Sequence, residues 1–62
     1  MRPVVHYGHR CRIHVCQFSN GEAKRSSHVG YLEAVGRGWA SYWHPAGVFV
    51  VINDVTDIEE LP

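Results

Sequence analysis

Residues 38–52 read GWASYWHPAGVFVVI, and this stretch decides the fold. Trp, Tyr, Phe, Val and Ile favour an extended, half-buried backbone, so the stretch predicts two strands. Residues 44–47, His-Pro-Ala-Gly, predict the turn between them, because proline presets φ at the second position and glycine suits the fourth. A loop of these residues would place Trp43 opposite Val48. The stretch therefore predicts a β-hairpin.

Side chains alternate between the two faces of this predicted hairpin, and both faces are apolar. One face would carry Trp39, Ser41, Trp43, Val48, Val50 and Ile52, and the other Ala40, Tyr42, Phe49 and Val51. A small sheet that wraps one core buries only one face of each strand. The second face therefore needs a partner, a second subunit or a covering segment.

The length and hydropathy of the chain limit the classes of protein it can belong to. It has 62 residues, which predicts one domain whose core supplies roughly 3–5 kcal/mol. No apolar run approaches the ~20 residues that span a membrane. The first residues also lack the apolar segment of a signal peptide. We therefore expect a cytoplasmic protein with no membrane partner.

Charge is distributed unevenly along a chain whose net charge is zero. Residues 1–37 hold all six basic residues and two acids, a net charge of +4, and residues 38–62 hold only four acids. A basic surface attracts phosphates or an acidic protein. The alternative is that the two halves neutralise each other within the fold or between subunits.

Alternating patterns predict the other strands, and no long helical pattern is present. Residues 9–16 predict the first strand, with its apolar positions on one face, and residues 28–35 predict the second. Residues 17–27 predict a long loop or an irregular hairpin. Residues 55–58 fit a single helical turn, and residues 59–61 fit a last short strand. The class is therefore all-β.

Five short strands in this order resemble an SH3-like β-barrel of the KOW/Tudor kind. The resemblance is carried by residues 8–13, 30–35, 38–43 and 54–61, and it covers residues 8–61. It implies a small five-stranded barrel over residues 9–62, with one short helical turn before the last strand. Residues 1–8 would form an N-terminal arm.

Type II plasmid dihydrofolate reductases, which are tetramers of small SH3-like barrels, are distantly similar. Their barrel carries Val-Gln-Ile-Tyr after a comparable turn, where residues 48–51 here read Val-Phe-Val-Val. The amide and the hydroxyl that such a site would use are missing. We therefore expect no such activity and no enzyme.

The two cysteines and the histidines suggest little chemistry. Cys11 and Cys16 would lie on opposite faces of one strand, ~16 Å apart at ~3.3 Å per residue, and a disulfide needs about 7 Å. Both are predicted to be free thiols, with Cys11 in the core. Cys16 and His14 would lie side by side, but no third group orients them, so no catalytic residue is predicted.

Five side chains are candidate ligands for a metal: His9, Cys11, His14, Cys16 and His28. Zinc is usually held by four Cys or His ligands in a tetrahedron. The familiar Cys-x-x-Cys spacing is absent from the chain. We therefore expect no metal and no cofactor.

Two binding functions stay open. The favoured hypothesis is a small accessory or regulatory protein that binds a larger protein through the outer hairpin face, since Trp, Tyr and Arg are enriched at interface hot spots. The resemblance implies that positions 40 and 42 turn inward, although the opposite assignment stays open. The predicted partner-binding residues are Trp39, Trp43, Val48, Val50 and Tyr31. Pairing with itself, as a homodimer or a larger oligomer, is a further alternative.

The runner-up hypothesis is an RNA- or DNA-binding module that uses the basic half. Basic side chains beside aromatic rings contact phosphates while the rings stack on bases. The predicted contacts are Arg10, Arg12, Lys24 and Arg25. Against this hypothesis, a dedicated nucleic-acid binder is usually clearly basic, and this chain is neutral.

Overall fold

The computed structural model describes residues 6–62, and residues 1–5 of the predicted arm lie outside the described residues. The described chain forms five strands: β1 Arg10–Ser19, β2 Glu22–Gly36, β3 Trp39–Trp43, β4 Phe49–Asn53 and β5 Val55–Glu60. All pairings are antiparallel, and the order across the sheet is β4-β3-β2-β1-β5. The predicted all-β class is confirmed. The described residues include no helix that is long and apolar enough to cross a membrane.

The hairpin of β1 and β2 is longer and more regular than the sequence reading suggested. Its turn is Asn20-Gly21, with φ values of 51° and 75°, and such left-handed pairs favour a two-residue hairpin. Two alternatives were predicted for residues 17–27. The ladder continues without interruption to this turn, so the long loop is wrong and the hairpin is confirmed, although it is regular and not irregular. Residues 16–27 project beyond the part of β1 that pairs with β5. We call this projecting two-stranded segment the ribbon.

The register of β3 and β4 differs from the prediction by one residue. The turn over residues 44–47 does form, since the Gly47 N–H donates to the His44 carbonyl at 2.8 Å. Gly47 has a φ of 87°, in the left-handed region. The His44 N–H donates to the Val48 carbonyl at 2.8 Å, so the loop between the strands contains one residue more than predicted. Trp43 consequently pairs with Phe49 and not with Val48. A shift of one residue moves every β4 side chain to the other face.

The last predicted element is also corrected. Residues 55–58 form the first part of β5 and not a helical turn. Asp54 has a φ of 59°, and it bends the chain between β4 and β5 without reversing it, since both strands run antiparallel to β1 and β3. The residues after it are rich in β-branched side chains, which favour strands, and they pair with β1.

The sheet curls around a single core. The buried side chains are Cys11, Ile13, Val15, Leu32, Ala40 and Tyr42, and partly buried Val50, Ile52, Val55 and Ile58 pack against them. Because β4 and β5 lie at opposite edges of the sheet yet both contact this core, the sheet must bend. No strand pairing joins β4 to β5 within residues 6–62. The predicted inward positions of Cys11, Ala40 and Tyr42 are confirmed.

Gly30 of β2 is packed tightly against β3. A Cβ atom at this position would lie 2.2 Å from Cδ2 of Tyr42 and 2.8 Å from the carbonyl oxygen of Trp43. Only a residue without a side chain fits there. The irregularity in this ladder lies further along, between Leu32 and Ala34.

Candidate interaction surface

Three aromatic side chains form a row on the outer face of the sheet. Tyr31 of β2 pairs with Trp43 of β3, and Trp43 pairs with Phe49 of β4. The rings of Trp43 and Phe49 are 5.0 Å apart between centroids and tilted by 60°, a geometry typical of attractive aromatic pairs. Trp43 and Phe49 are each 45% exposed. The row therefore presents large apolar rings to the surroundings.

Two more exposed apolar side chains extend this surface along the hairpin. Val51 follows Phe49 by two residues, and Trp39 precedes Trp43 by four, so all share one face. The indole of Trp39 lies over Gly36, where a Cβ atom would be 1.8 Å from its Nε1. We call Tyr31, Trp39, Trp43, Phe49 and Val51 the outer apolar face.

The predicted partner-binding residues separate into two groups. Tyr31, Trp39 and Trp43 lie together on the outer apolar face. Val48 is exposed, but it lies in the loop between β3 and β4. Val50 packs against the core, so its predicted outward position is wrong.

Phe49 and Val51 take the outward positions that were predicted for their neighbours. The sequence signal that was missed is Gly47. A turn followed by a left-handed glycine adds one residue to the bulged strand, and this pattern is common in hairpins. Recognising it would have placed Phe49 beside Trp43.

One of the predicted basic contacts lies beside the aromatic row, and two others lie further along the same face. Arg10 of β1 pairs with Tyr31, so it continues the row onto the next strand. Arg12 and Arg25 share this face according to the ladder of β1 and β2. Lys24 is the neighbour of Arg25 and lies on the opposite face of the ribbon. The structure thus gathers three of the four predicted nucleic-acid contacts on one face.

Arg10, Arg12 and Arg25 form what we call the basic strip. Glu59 neutralises part of its positive charge. Its Oε1 accepts a hydrogen bond from Arg12 at 3.2 Å, and the Nε2 of His14 lies 3.0 Å from the same oxygen. The contacts with His14 and then Arg12 lower the pKa of the Glu59 carboxyl. The carboxylate therefore stays charged at neutral pH, which reduces the positive potential at the centre of the strip.

The thiols do not form a recognisable catalytic pair. Cys11 is fully buried, and its Sγ–H donates to the carbonyl of His9 at 3.4 Å. Burial raises the pKa of this thiol, and the charge of Glu60 adds to the effect, so it is a poor nucleophile. Cys16 and His14 line a shallow groove of ≈420 Å³, but His14 bonds to Glu59 and not to Cys16.

The five side chains named above as candidate metal ligands do not converge on one point. Within the described residues, the group of potential ligands that does converge is His6, His9 and Glu60. Only His9 was among the five side chains considered. The carboxylate comes from the far end of the chain, which is why spacing alone gave no signal.

Comparison with known proteins adds no relative. The chain matches no protein-family model, no curated protein and no solved structure.

Proposed function

We propose that this chain is a small, non-enzymatic accessory protein that binds a larger protein through its outer apolar face. The observation that carries the proposal is the row of Tyr31, Trp43 and Phe49 across three strands. Monomeric soluble proteins rarely expose a contiguous apolar patch above a few hundred Å². Each aromatic side chain can bury ~150–250 Å², so this row is large for so small a domain.

The proposed architecture beneath this face is an open SH3-like barrel. Its support is the neighbour order β4-β3-β2-β1-β5 and the single core contacted from both edges. In such an arrangement the inner face is filled by the core, which leaves the outer face of β2, β3 and β4 free for a partner. The core thus fixes the backbone that displays the rings.

The surroundings of the outer apolar face match the anatomy of a protein interface. Interfaces combine an apolar centre, rich in aromatic residues, with a polar rim. Here Arg10 borders the row on β1, and Asn53 pairs with Trp39 at the end of β4. Trp, Tyr and Arg are also the side chains that most often dominate binding energy. The expected partner therefore offers an apolar cleft or patch with acceptors for Arg10 at its edge.

The test of this proposal compares charged substitutions at two exposed aromatic residues, one on the outer apolar face and one on the ribbon. Trp43→Glu should remove captured partner protein in a quantitative pull-down, with affinity falling at least ~30-fold, as for the loss of a hot-spot side chain. Phe18→Glu is the matched control, because Phe18 is exposed on the ribbon, away from the face. Both variants should keep the parent's thermal unfolding.

Three outcomes of this test are informative. A partner lost with Trp43→Glu and kept with Phe18→Glu supports the proposal. A partner kept by both variants contradicts it. Sedimentation of the parent against Trp43→Glu reports whether the occupant is a second copy, in which case the parent alone sediments as the larger species and the proposal of a different partner protein fails.

A second candidate function is single-stranded nucleic-acid binding. The observation in its favour is that Arg10, Arg12 and Arg25 share the face that bears Tyr31. Such a face would contact phosphates through the arginines and stack bases on the ring.

Charge reversal separates the two functions. The triple variant Arg10→Glu, Arg12→Glu, Arg25→Glu should abolish binding of a labelled oligonucleotide, measured by fluorescence anisotropy at low and high salt. Lys24→Glu, on the opposite face, is the control and should have a smaller effect. Binding of a protein partner centred on Trp43 should weaken far less in the triple variant than in Trp43→Glu, because only Arg10 of the three arginines borders the outer apolar face.

A further inference from the structure

A short turn before β1 fixes two histidines beside the sheet. The His9 N–H donates to the His6 carbonyl at 3.3 Å, and Gly8 has a φ of 82° that suits the reversal. The turn is tied to β2, because the Gly8 N–H donates to the Leu32 carbonyl at 2.6 Å and the Leu32 N–H donates to the His9 carbonyl at 3.1 Å. His6 and His9 therefore have a defined place on the sheet.

The end of β5 brings a carboxylate to the same point. Glu60 pairs with Cys11, and the next residue is anchored by the Leu61 N–H, which donates to the Arg10 carbonyl at 2.8 Å. The Glu60 Oε2 lies 2.9 Å from the Nδ1 of His6, and its Oε1 lies 2.5 Å from the Nδ1 of His9. The His6 backbone N–H also donates to Oε2, at 3.3 Å.

We propose that His6, His9 and Glu60 form a binding site for a divalent transition-metal ion of the zinc class. One ligand atom from each residue lies within 4.8 Å of the other two. Zinc bonds of ~2.0–2.2 Å place neighbouring ligand atoms of a tetrahedron about 3.4 Å apart, so small side-chain rotations suffice. Three protein ligands leave a position for water, as in open zinc sites.

The donor set selects the class of metal. Two imidazole nitrogens with one carboxylate oxygen suit Zn²⁺, Ni²⁺, Cu²⁺ and Co²⁺. Calcium and magnesium prefer sites built from oxygen atoms. We therefore expect zinc-class ions to bind and calcium and magnesium to have no effect.

The position of the site in the chain gives the metal a structural role. Glu60 is separated from His6 by 54 positions and from His9 by 51, so the unfolded chain does not hold the three ligands together. A metal that binds only the folded state stabilises it by mass action. Bound metal would hold the turn before β1 against the end of β5, in a domain whose core is small.

The test is a zinc titration of the purified, metal-free chain. Calorimetry should give one ion per chain. At zinc ~100-fold above its dissociation constant, the unfolding equilibrium should shift about 100-fold, which raises Tm by on the order of 10 °C for a domain of this size. Mg²⁺ and Ca²⁺ should leave Tm unchanged.

Neighbouring residues supply matched controls. Glu60→Gln and His9→Gln should abolish the zinc-induced rise in Tm. Glu59→Gln and His44→Gln should keep it, because Glu59 contacts Arg12 and His14, and His44 lies in the loop between β3 and β4. An equal rise in Glu60→Gln and in the parent overturns the proposal, as does a parent that shows neither heat of binding nor a rise.

A measurement on the unaltered chain guards against variants that fail to fold. Co²⁺ added to the parent should broaden the NMR signals of the His6 and His9 ring protons first. The His28 ring, which lies against Ser26 and outside the proposed site, should be affected less. Broadening centred on any other histidine overturns the proposal.

Discussion

Two hairpins of the sheet, β1 with β2 and β3 with β4, use similar strand-forming residues but leave different surfaces. The hairpin of β1 and β2 ends in a ribbon, residues 16–27, that is largely exposed on both faces and mostly polar. The hairpin of β3 and β4 is apolar on both faces, with one buried in the core and the other forming most of the outer apolar face. Tyr42 is 3% exposed and Phe18 is 78% exposed. Aromatic content alone therefore does not identify the core.

The largest expected effect sharpens this contrast between the hairpins. Tyr42→Ala should lower the free energy of unfolding by ~3–5 kcal/mol, because it removes a buried aromatic side chain. A core of this size supplies little more than that, so we expect the variant to be largely unfolded at 25 °C. Phe18→Ala should change stability by less than ~0.5 kcal/mol. Urea unfolding followed by fluorescence measures both, and comparable losses would show that the ribbon shares the core.

The next effect probes the close packing of Gly30 of β2 against Tyr42 of β3. Gly30→Ala places a methyl group 2.2 Å from Tyr42 Cδ2, and we expect a loss of ~1–3 kcal/mol, as for other overpacked sites. Ser27→Ala, on the exposed part of the same strand, is the control. Thermal unfolding that is equal in the two variants would mean that Tyr42 can move away without cost.

A smaller effect distinguishes the two turns. Gly21→Ala and Gly47→Ala each force a side chain into left-handed backbone, at a cost of ~1–2 kcal/mol. For Gly21 the cost should appear locally, as faster amide hydrogen exchange in residues 16–27. For Gly47 the faster exchange should appear in β3 and β4. Faster exchange throughout the sheet in both variants would mean that the hairpins do not open separately.

The smallest expected effect is on the pH dependence of stability, and it appears only at alkaline pH. Burial raises the pKa of Tyr42 above its ordinary value of 10.0, so the unfolded chain loses this proton first. The contribution of the neutral Tyr42 hydroxyl to the free energy of unfolding is complete below pH 10.0, and it is lost as pH rises through the folded-state pKa. Tyr42→Phe should therefore show a flatter decline of stability above pH 10.0 than the parent.

The sequence predicts the strands better than it predicts how they pair. Alternation places Cys11 inward, because only one face of its strand is apolar. It does not choose between the two apolar faces of residues 38–52, and the inward placement of Ala40 and Tyr42 followed from the resemblance to a small barrel. Alternation also does not fix the register of β4, since residues 48–52 are apolar on both faces and a shift of one residue costs no obvious burial. Only the backbone of Gly47 decides that register.

The candidate site shows the same division between local and distant information. The aromatic residues of the outer face are close in sequence, and three of the five were predicted. Phe49 and Val51 were missed with the register. Glu60 contacts His6 only because β5 pairs with β1. Most of the β5 residues in this pairing belong to the segment that was predicted as a helical turn, so the sequence did not predict the contact.

The pairing of β1 with β5 has a consequence for the folding reaction. Each of the other pairings joins strands that follow one another in the chain, so each hairpin closes a short loop. β5 must instead return to β1 after β2, β3 and β4 have intervened. Closing a longer loop costs more chain entropy, and contacts between distant residues slow folding. We expect β5 to dock after the rate-limiting barrier, so that changes in β5 alter the unfolding rate far more than the folding rate.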